Sequence, residues 1–545
     1  MADTKREIER KYELPKRPAE GDSGGGSAGG RGGVGVDGGV GGGSKPGGRS
    51  LLPDLTKVRV VSAVTHEGVT ELDALYHDTP DLRLTADSLT LRRRTGGADE
   101  GWHLKFPVGQ GVRDEIRAPL SDTLPDELAA LVRSRVRGAE LTPVVRLRTS
   151  RDTSLLVDEA GRTLAEVAVD TVRAERLPAG TGTADWTEIE VELADDGDPA
   201  LLDAVEKALR KAGVRPASAT SKLARALAET TPAAKGAKAR KAAGAARRGP
   251  VTAGDHVLAY LREQADAIVS YDSAVRRDLP DSVHQLRVAT RRMRSAFRTY
   301  KKVLDRDASR PIGAELQWLA GELGVDRDQE VLAGRLTEAV DAHDTTLLLG
   351  PVHARLRIWD AAGRTDARAR TLAVLDSARY LRLLDSVDAL LTDPPLLAGG
   401  ADGKPGKVLP RAIVKDYERL AGRVEHALGL VPGEERDLAL HDARKAAKRA
   451  RYAADAAGPA LGKPAKRFSK RMKAVQSVLG DHQDSVVARD ALRDLAIQAH
   501  AAGESAFTWG LLYGEEEARA ADRERELPRV WRKSAEPKLR TALGG

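Results

Sequence analysis

The chain has 545 residues, 41% of them hydrophobic and 31% charged, which suggests two to four domains with enough apolar material for real cores. It has no Cys, which excludes disulfide scaffolds, thiolate zinc sites and Cys nucleophiles and fits a cytoplasmic setting. The net charge of +7 is unevenly spread, with 33 Lys/Arg against 38 Asp/Glu in residues 1–231, six against none in 232–250, and 49 against 43 in 251–545; an acidic front and a basic rear point to two chemistries on one chain. No run approaches the roughly 18 apolar residues of a membrane span. The charged start MADTKREIERKYEL lacks the apolar stretch of a secretory signal.

Glu7–Leu14 reads as a strand. Residues 21–48 follow, with Gly at sixteen of 28 positions, and are expected to form a floppy loop inside the first domain. From 51 to 231 short alternating runs predict strands at Ser88–Arg94, Gly101–Pro107, Gly111–Ala118, Val144–Ser150, Thr153–Asp158, Thr163–Arg173 and Thr187–Leu193. Helices are predicted at Pro125–Arg137 and Pro199–Ala212. Residues 232–250 read as a basic linker rich in Ala and Gly. From 251 onward apolar residues recur at helical spacing, and LLAGGADGKPGK at 396–407 splits this part into repeats of about 255–395 and 408–540. Each repeat carries one signature. His284, Arg287, Arg291, Arg292 and Arg294 match His441, Arg444, Lys448, Arg449 and Arg451 at identical spacings, and Leu323-Gly324-x-x-Arg327-Asp328 parallels Leu479-Gly480-x-x-Gln483-Asp484, as in an internal duplication.

The alternating sets of the first domain are ionic: Glu7, Glu9 and Lys11; Arg92 and Arg94; His103 and Lys105; Arg113, Glu115 and Arg117; Arg146 and Arg148; Glu166 and Asp170; Glu188, Glu190 and Glu192. Period two places each set on one side of its strand. For a single strand a solvated outer face is the simpler explanation; seven such strands favour a barrel wide enough for water with these faces inward and the apolar faces under outer helices. Clustered carboxylates suit a hard divalent cation such as Mg²⁺ or Mn²⁺, and a ring of Arg and Lys suits a phosphate chain.

EIERK at 7–11 resembles the ExExK signature of the CYTH superfamily, the triphosphate tunnel metalloenzymes. YHDTPDLRL at 76–84, LTLRRRTGG at 89–97, WHLKFP at 102–107, VRDEIR at 112–117, VVRLRTSR at 144–151, WTEIEVEL at 186–193 and SKLARAL at 221–227 agree in order. The resemblance implies an eight-stranded antiparallel tunnel whose members hydrolyse or rearrange triphosphates with a divalent metal. By position it makes Glu7, Glu9, Glu188, Glu190 and Glu192 the metal ligands. Lys11, Arg92, Arg94, Lys105, Arg113, Arg146 and Arg148 would hold phosphates. Glu115, Glu166 and Asp170 would orient those cations or a water, and Lys222 would close the tunnel end.

HQLRVATRRMRSAFRTY at 284–300 reads as a helix with His284, Arg287, Arg291 and Arg294 on one face, and His441, Arg444, Lys448 and Arg451 repeat the arrangement. One such helix could be a solvated basic face. Two in the same register favour a bound anion, and the cationic surroundings of the two His disfavour a metal. The region 255–540 resembles the CHAD family, a two-fold repeat of a four-helix unit. The resemblance implies polyphosphate binding in a basic groove. Arg327-Asp328-Gln329-Glu330, expected as a loop, departs from the family's Arg-Asp-x-Asp at Glu330. The expectation is an α+β multidomain protein: a β tunnel with outer helices, then an all-α duplicated bundle. As an enzyme it would be an inorganic triphosphatase coupled to polyphosphate binding. The alternatives are a non-catalytic protein of polyphosphate granules and a CYTH enzyme acting on an organic triphosphate, as thiamine triphosphatases and adenylyl cyclases do. Nucleic-acid binding is disfavoured by 3% aromatics and by the lack of a DNA or RNA motif.

Overall fold

The computed structural model describes residues 3–14, 52–178, 182–231 and 249–544 apart from 365–366. The Gly-rich insert expected at 21–48 and nearly all of the linker expected at 232–250 lie outside these residues. The chain divides into two compact units, Met1–Ala242 and Ala243–Gly545.

In the first unit the strands are β1 Asp3–Glu13, β2 Ala63–Asp78, β3 Thr90–Thr95, β4 Gly101–Gly109, β5 Val112–Ala118, β6 Thr142–Val157, β7 Thr163–Arg176 and β8 Thr183–Leu193, with a two-residue β9, Arg215–Pro216, appended to β1. Neighbours are antiparallel in the order β5-β4-β3-β2-β6-β7-β8-β1, and β1 also pairs with β5, which closes a ring of eight. The first half of β1 lies on β5 and the second half on β8. Gly111 (φ +70°) makes the β4–β5 turn, where a Cβ would sit 2.8 Å from the Glu9 carbonyl; its own carbonyl accepts from Glu9 N at 2.9 Å, so a bare turn lets β1 dock.

Two expected strands, Val144–Ser150 and Thr153–Asp158, are one strand, β6. β2 was not expected, because its N-terminal half is exposed at nearly every position and shows no alternation to read.

Period two sorts the strands as a barrel requires. Outward apolar residues of β3, β4 and β5 (Leu91, Trp102, Leu104, Ile116) pack under helix α1, Asp126–Val136. Those of β1, β7 and β8 (Tyr12, Val167, Val169, Ile189, Val191) pack under α2, Ala200–Lys211. A third apolar cluster joins Tyr76, Val145, Leu147, Val172, Ala174 and Trp186 to Leu223, Ala226 and Leu227 of α3, Lys222–Glu229. Val172 and Trp186 have the strand parity of the inward Asp170 and Glu188, so this cluster with α3 plugs one end of the barrel.

The second unit is helical. Its principal helices are α4 Ala253–Arg276, α5 Ser282–Thr299, α6 Arg306–Glu322, α7 Gly324–Asp341, α8 Val352–Arg364, α9 Ala378–Thr392, α10 Pro405–Gly429, α11 Glu434–Ala456, α12 Lys463–Ala501 and α13 Phe507–Ser534. A capping box between Thr252 and Asp255 starts α4. One large core joins α4, α5, α6, α9, α10, α11 and the first half of α12. A smaller core around Trp509 joins α7, α8, the second half of α12 and the start of α13. The two signature helices, α5 and α11, pack against each other. Residues 327–330, expected as a loop, lie within α7. The repeats differ here: the first breaks at Leu323–Gly324 between α6 and α7, whereas the second runs through Leu479–Gly480 in one 39-residue helix.

Candidate functional site

Inside the barrel a cavity of about 240 Å³ is lined by charged side chains from both directions of the ring. One carboxylate oxygen each from Asp170 on β7 and Glu188 and Glu190 on β8 lie within 4.8 Å of one another. The Ser221 hydroxyl caps α3 by accepting from Ala224 N at 3.1 Å, which sets Lys222 at the first helical position. From there Lys222 Nζ reaches all three carboxylates, at 2.8 Å from Asp170, 3.0 Å from Glu188 and 2.5 Å from Glu190. Arg151 Nη2 bridges Asp170 (2.7 Å) and Glu190 (2.6 Å). Lys11 Nζ bonds Glu190 and lies 3.1 Å from Glu9. Burial opposes ionisation of Glu190, but Lys11, Lys222 and Arg151 outweigh it and hold this carboxyl well below the usual range.

A second knot centres on Glu115, fully buried. His103 Nδ1 lies 2.9 Å from it, Lys105 Nζ 3.3 Å, Arg92 Nη2 3.6 Å and Arg117 Nε 2.5 Å. Against the cost of burial, His103, Lys105 and Arg92 hold Glu115 far below the ordinary carboxylate range. Glu7, 2.5 Å from Lys105, goes the other way: burial pushes its carboxyl up to about 7, despite Lys105. Burial also raises Glu166.

The barrel therefore brings together Glu7, Glu9, Lys11, Arg92, Arg94, Lys105, Arg113, Glu166, Glu190, Glu192 and Lys222 around one cavity, with Glu115, Asp170 and Glu188 bonded to that lining. One expectation is corrected. Arg146 and Arg148 lie on the opposite face of β6 and pair with Asp73 of β2, Arg146 at 2.5 Å and Arg148 at 3.9 Å; the inward positions beside them are the apolar Val145 and Leu147 of the plug. The carboxylates that converge are Asp170, Glu188 and Glu190. Glu7, Glu9 and Glu192 line the same cavity and pair with Lys105, Lys11 and Lys5. Arg151 was missed. It has the parity of Val145 and Leu147 and stands opposite Asp170 in the β6–β7 register, a pairing visible only once β6 is one strand.

A hard divalent cation fits this donor set. Three buried carboxylates offer oxygen ligands, and the ammonium of Lys222 already stands within 3.0 Å of all three, a position that favours positive charge.

In the second unit the Leu-Gly signature explains how its arginine is seated. Arg287 lies over Gly324, where a Cβ would sit 2.9 Å from its Nη2, and grips Asp328 through Nη1 (3.0 Å) and Nη2 (3.2 Å). Arg444 lies over Gly480 with Nη2 3.6 Å from Asp484. Arg291, Lys448 and Arg451 gather beside them: Arg291 senses Arg287 and Arg444, and Lys448 senses Arg444, Arg291 and Arg451. Burial, then Arg444 and Arg291, push the Lys448 amine down to about 7. The buried Nε atoms of Arg287, Arg294, Arg444 and Arg451, and Nδ1 of His441, have no hydrogen-bond partner. His284 opens the same face of α5. Half-buried cations this dense repel one another, and an anion relieves both the repulsion and the unmet donors.

Family models for the CYTH domain and the CHAD domain match residues 51–227 and 259–493. An uncharacterized protein of Mycobacterium tuberculosis (strain CDC 1551 / Oshkosh) is 40% identical over 492 residues, 87% of this chain and 91% of that protein. The chain belongs to the CYTH–CHAD family. Its two units are thus a CYTH tunnel and a CHAD bundle. CYTH tunnels serve triphosphatases and cyclases that use divalent metals. Among solved structures, this CYTH–CHAD chain is similar to PptA from Streptomyces chartreusis (23% identity, 52% of this chain and 99% of that one, TM-score 0.44). It is also similar to the CHAD domain from the plant Ricinus communis (25% identity, 55% and 93%, TM-score 0.41). No described helix is long and apolar enough to cross a membrane.

Proposed function

We propose that the CYTH tunnel hydrolyses inorganic triphosphate with a divalent metal and that the CHAD bundle binds polyphosphate. The observation that carries the first half is the buried Asp170–Glu188–Glu190 cluster facing a ring of Arg and Lys inside a closed barrel. Asp170, Glu188 and Glu190 would hold Mg²⁺ or Mn²⁺, which when bound supplies Lewis-acid polarisation of a phosphoryl oxygen. Lys11, Arg92, Arg94, Lys105, Arg113, Arg151 and Lys222 take the phosphate oxygens, trading internal carboxylate partners for the substrate. Glu115, held by Arg92, Lys105 and Arg117 and by the His103 imidazole, fixes Arg92 and Lys105 in place. Glu166 has its carboxyl raised by burial yet keeps 42% of its side chain exposed, and it accepts the proton of the attacking water. Tyr76 is the single aromatic side chain in the described lining, which gives a nucleoside base little to stack on and favours an inorganic substrate over ATP or thiamine triphosphate.

For the second half, the support is the convergence of Arg287, Arg291, Arg294, Arg444, Lys448 and Arg451, flanked by His284 and His441, from two packed helices. The test is a phosphate-release panel. Purified protein is offered triphosphate, longer polyphosphates, ATP and thiamine triphosphate with Mg²⁺, Mn²⁺ or chelator, beside a binding titration with polyphosphate. Metal-dependent release with triphosphate foremost is expected. Preference for ATP or thiamine triphosphate, or no release with either metal, sinks the triphosphatase assignment.

A further inference from the structure

Next to the signature cluster, and sharing Arg294 and Arg449 with it, the CHAD bundle has a second basic hollow, a cavity of about 470 Å³. α5 does not stop being cationic at Arg294. Arg298 follows one turn later and Lys301 lies just past the helix end. Arg306 and Arg310 face them from α6. Arg419 of α10 and Arg449 of α11 complete the wall.

The charges here are poorly compensated. Buried Asp416 serves Arg419 at 2.6 Å and Arg449 at 3.0 Å, and Arg294 Nη2 donates to the neutral Gln317 at 2.7 Å. Among the described residues, Arg298, Lys301, Arg306 and Arg310 have no carboxylate partner. Burial, then Arg298 and Arg291, push the Arg294 guanidinium down to about 10, so Arg294 belongs to the signature cluster and to the hollow at once.

Two features argue that the hollow is more than a by-product of the duplication. First, the two repeats differ along it. The residue standing as far from His441 as Arg298 stands from His284 is Asp455, and Asp455 accepts from Ser469 Oγ at 2.5 Å. Second, it continues the signature face. Arg287, Arg291, Arg294 and Arg298 share one side of α5 over about 16 Å of axis at ~1.5 Å per residue, so a linear polyanion on that face is led into the hollow.

We propose that this hollow receives the end segment of an inorganic phosphate chain whose body lies along α5 and α11, so that chains long enough to reach it are held more tightly than short ones. The proposal rests on the polyphosphate reading of the bundle and adds to it a polarity and a length threshold.

The test uses the full chain with chelator present, so that nothing is cleaved, at one fixed salt concentration. Affinities are measured for triphosphate and for polyphosphates of increasing length with the wild type, the double variant Arg306→Ala/Arg310→Ala, and a charge-matched control, Arg532→Ala/Lys533→Ala, on exposed positions of α13. All four side chains are exposed, and matching melting curves check that the fold is kept. Wild-type affinity should climb with length and then level off. The hollow variant should lose about tenfold on long chains, as expected for two lost phosphate contacts, change less than about twofold on triphosphate, and level off at a shorter length. Losses on long chains no larger than the control's overturn the proposal. Equal losses on triphosphate and long chains also overturn it, since the hollow is then a separate site for short anions. If the wild type binds no chain of any length, the underlying polyphosphate reading fails first.

Discussion

Glu190 is the side chain on which the tunnel's charges turn, because Lys11, Arg151 and Lys222 all bond to it. Glu190→Gln keeps the shape and removes the charge. Turnover should fall by on the order of a hundredfold or more through loss of a metal ligand, and stability should drop by about 1–3 kcal/mol because three cations lose a shared partner. Phosphate release and chemical denaturation read the two effects separately, and wild-type turnover at saturating metal would refute the ligand role. In the bundle, Lys448 carries the pH dependence. Its amine is pushed down to about 7, and a bound polyanion favours the charged form. Polyphosphate affinity should therefore rise as pH falls through about 7 and level off below it. Lys448→Arg, charged throughout, should flatten that step in titrations on either side of neutrality. His441, lowered by burial and Lys445, contributes only in more acidic solution. In the free protein the linkage runs the other way. Folding strips the Lys448 proton between about 7 and the ordinary 10.5, so this residue's contribution to stability improves as pH rises through that window.

The elements carry their own tests. Arg151 and Arg146 lie on one strand with opposite parity, so Arg151→Ala should abolish turnover while Arg146→Ala, which removes a pair with Asp73 on the other face, should leave it within about twofold; exposed ion pairs are worth little. Equal losses in a phosphate-release assay would mean that the register of β6 is not the one described. α3 both plugs the barrel and aims Lys222. Leu223, 1% exposed, fills that plug, so Leu223→Ala should cost about 2–5 kcal/mol and reduce turnover as Lys222 loosens. This mixture of legible and hidden features has a physical basis. Strands with alternating charge, such as Glu7-Ile8-Glu9 or Glu188-Ile189-Glu190, declared both their period and their inward face. β6 did not, because its inner face changes from apolar at Val145 and Leu147 to cationic at Arg151, so the most conspicuous arginines, Arg146 and Arg148, suggested the wrong side. The acidic cluster was half legible. Glu188 and Glu190 announced themselves, but which carboxylate completes the set depends on the β7–β8 register, where Asp170 faces Glu188. In the bundle the repeated spacings gave both signature helices, whereas the hollow at Arg306 and Arg310 needs α6 folded back on α5 and has no local pattern.

At the scale of the molecule, the division into two compact units leads to a dissection. Residues 1–231 alone should hydrolyse triphosphate, and residues 251–545 alone should bind polyphosphate without cleaving it, with affinity that falls as salt rises. Polyphosphate binding that follows only the first fragment would contradict the assignment. Ring closure has a further consequence, in time rather than in space. β1 is synthesised first, yet Glu9 pairs with Glu192 and Lys5 with Glu115, so the strand carrying Glu7, Glu9 and Lys11 can lock only after most of the barrel exists. Contacts this distant along the chain are slow to form. A barrel lacking its first strand already has its outer cores partly assembled and binds little, because Lys105, Arg113, Arg117 and Glu190 then lack their partners on β1. Catalytic competence should therefore act as the clock for the final folding step: in a refolding time course the helical signal should return early, and phosphate release should return only with the slowest phase.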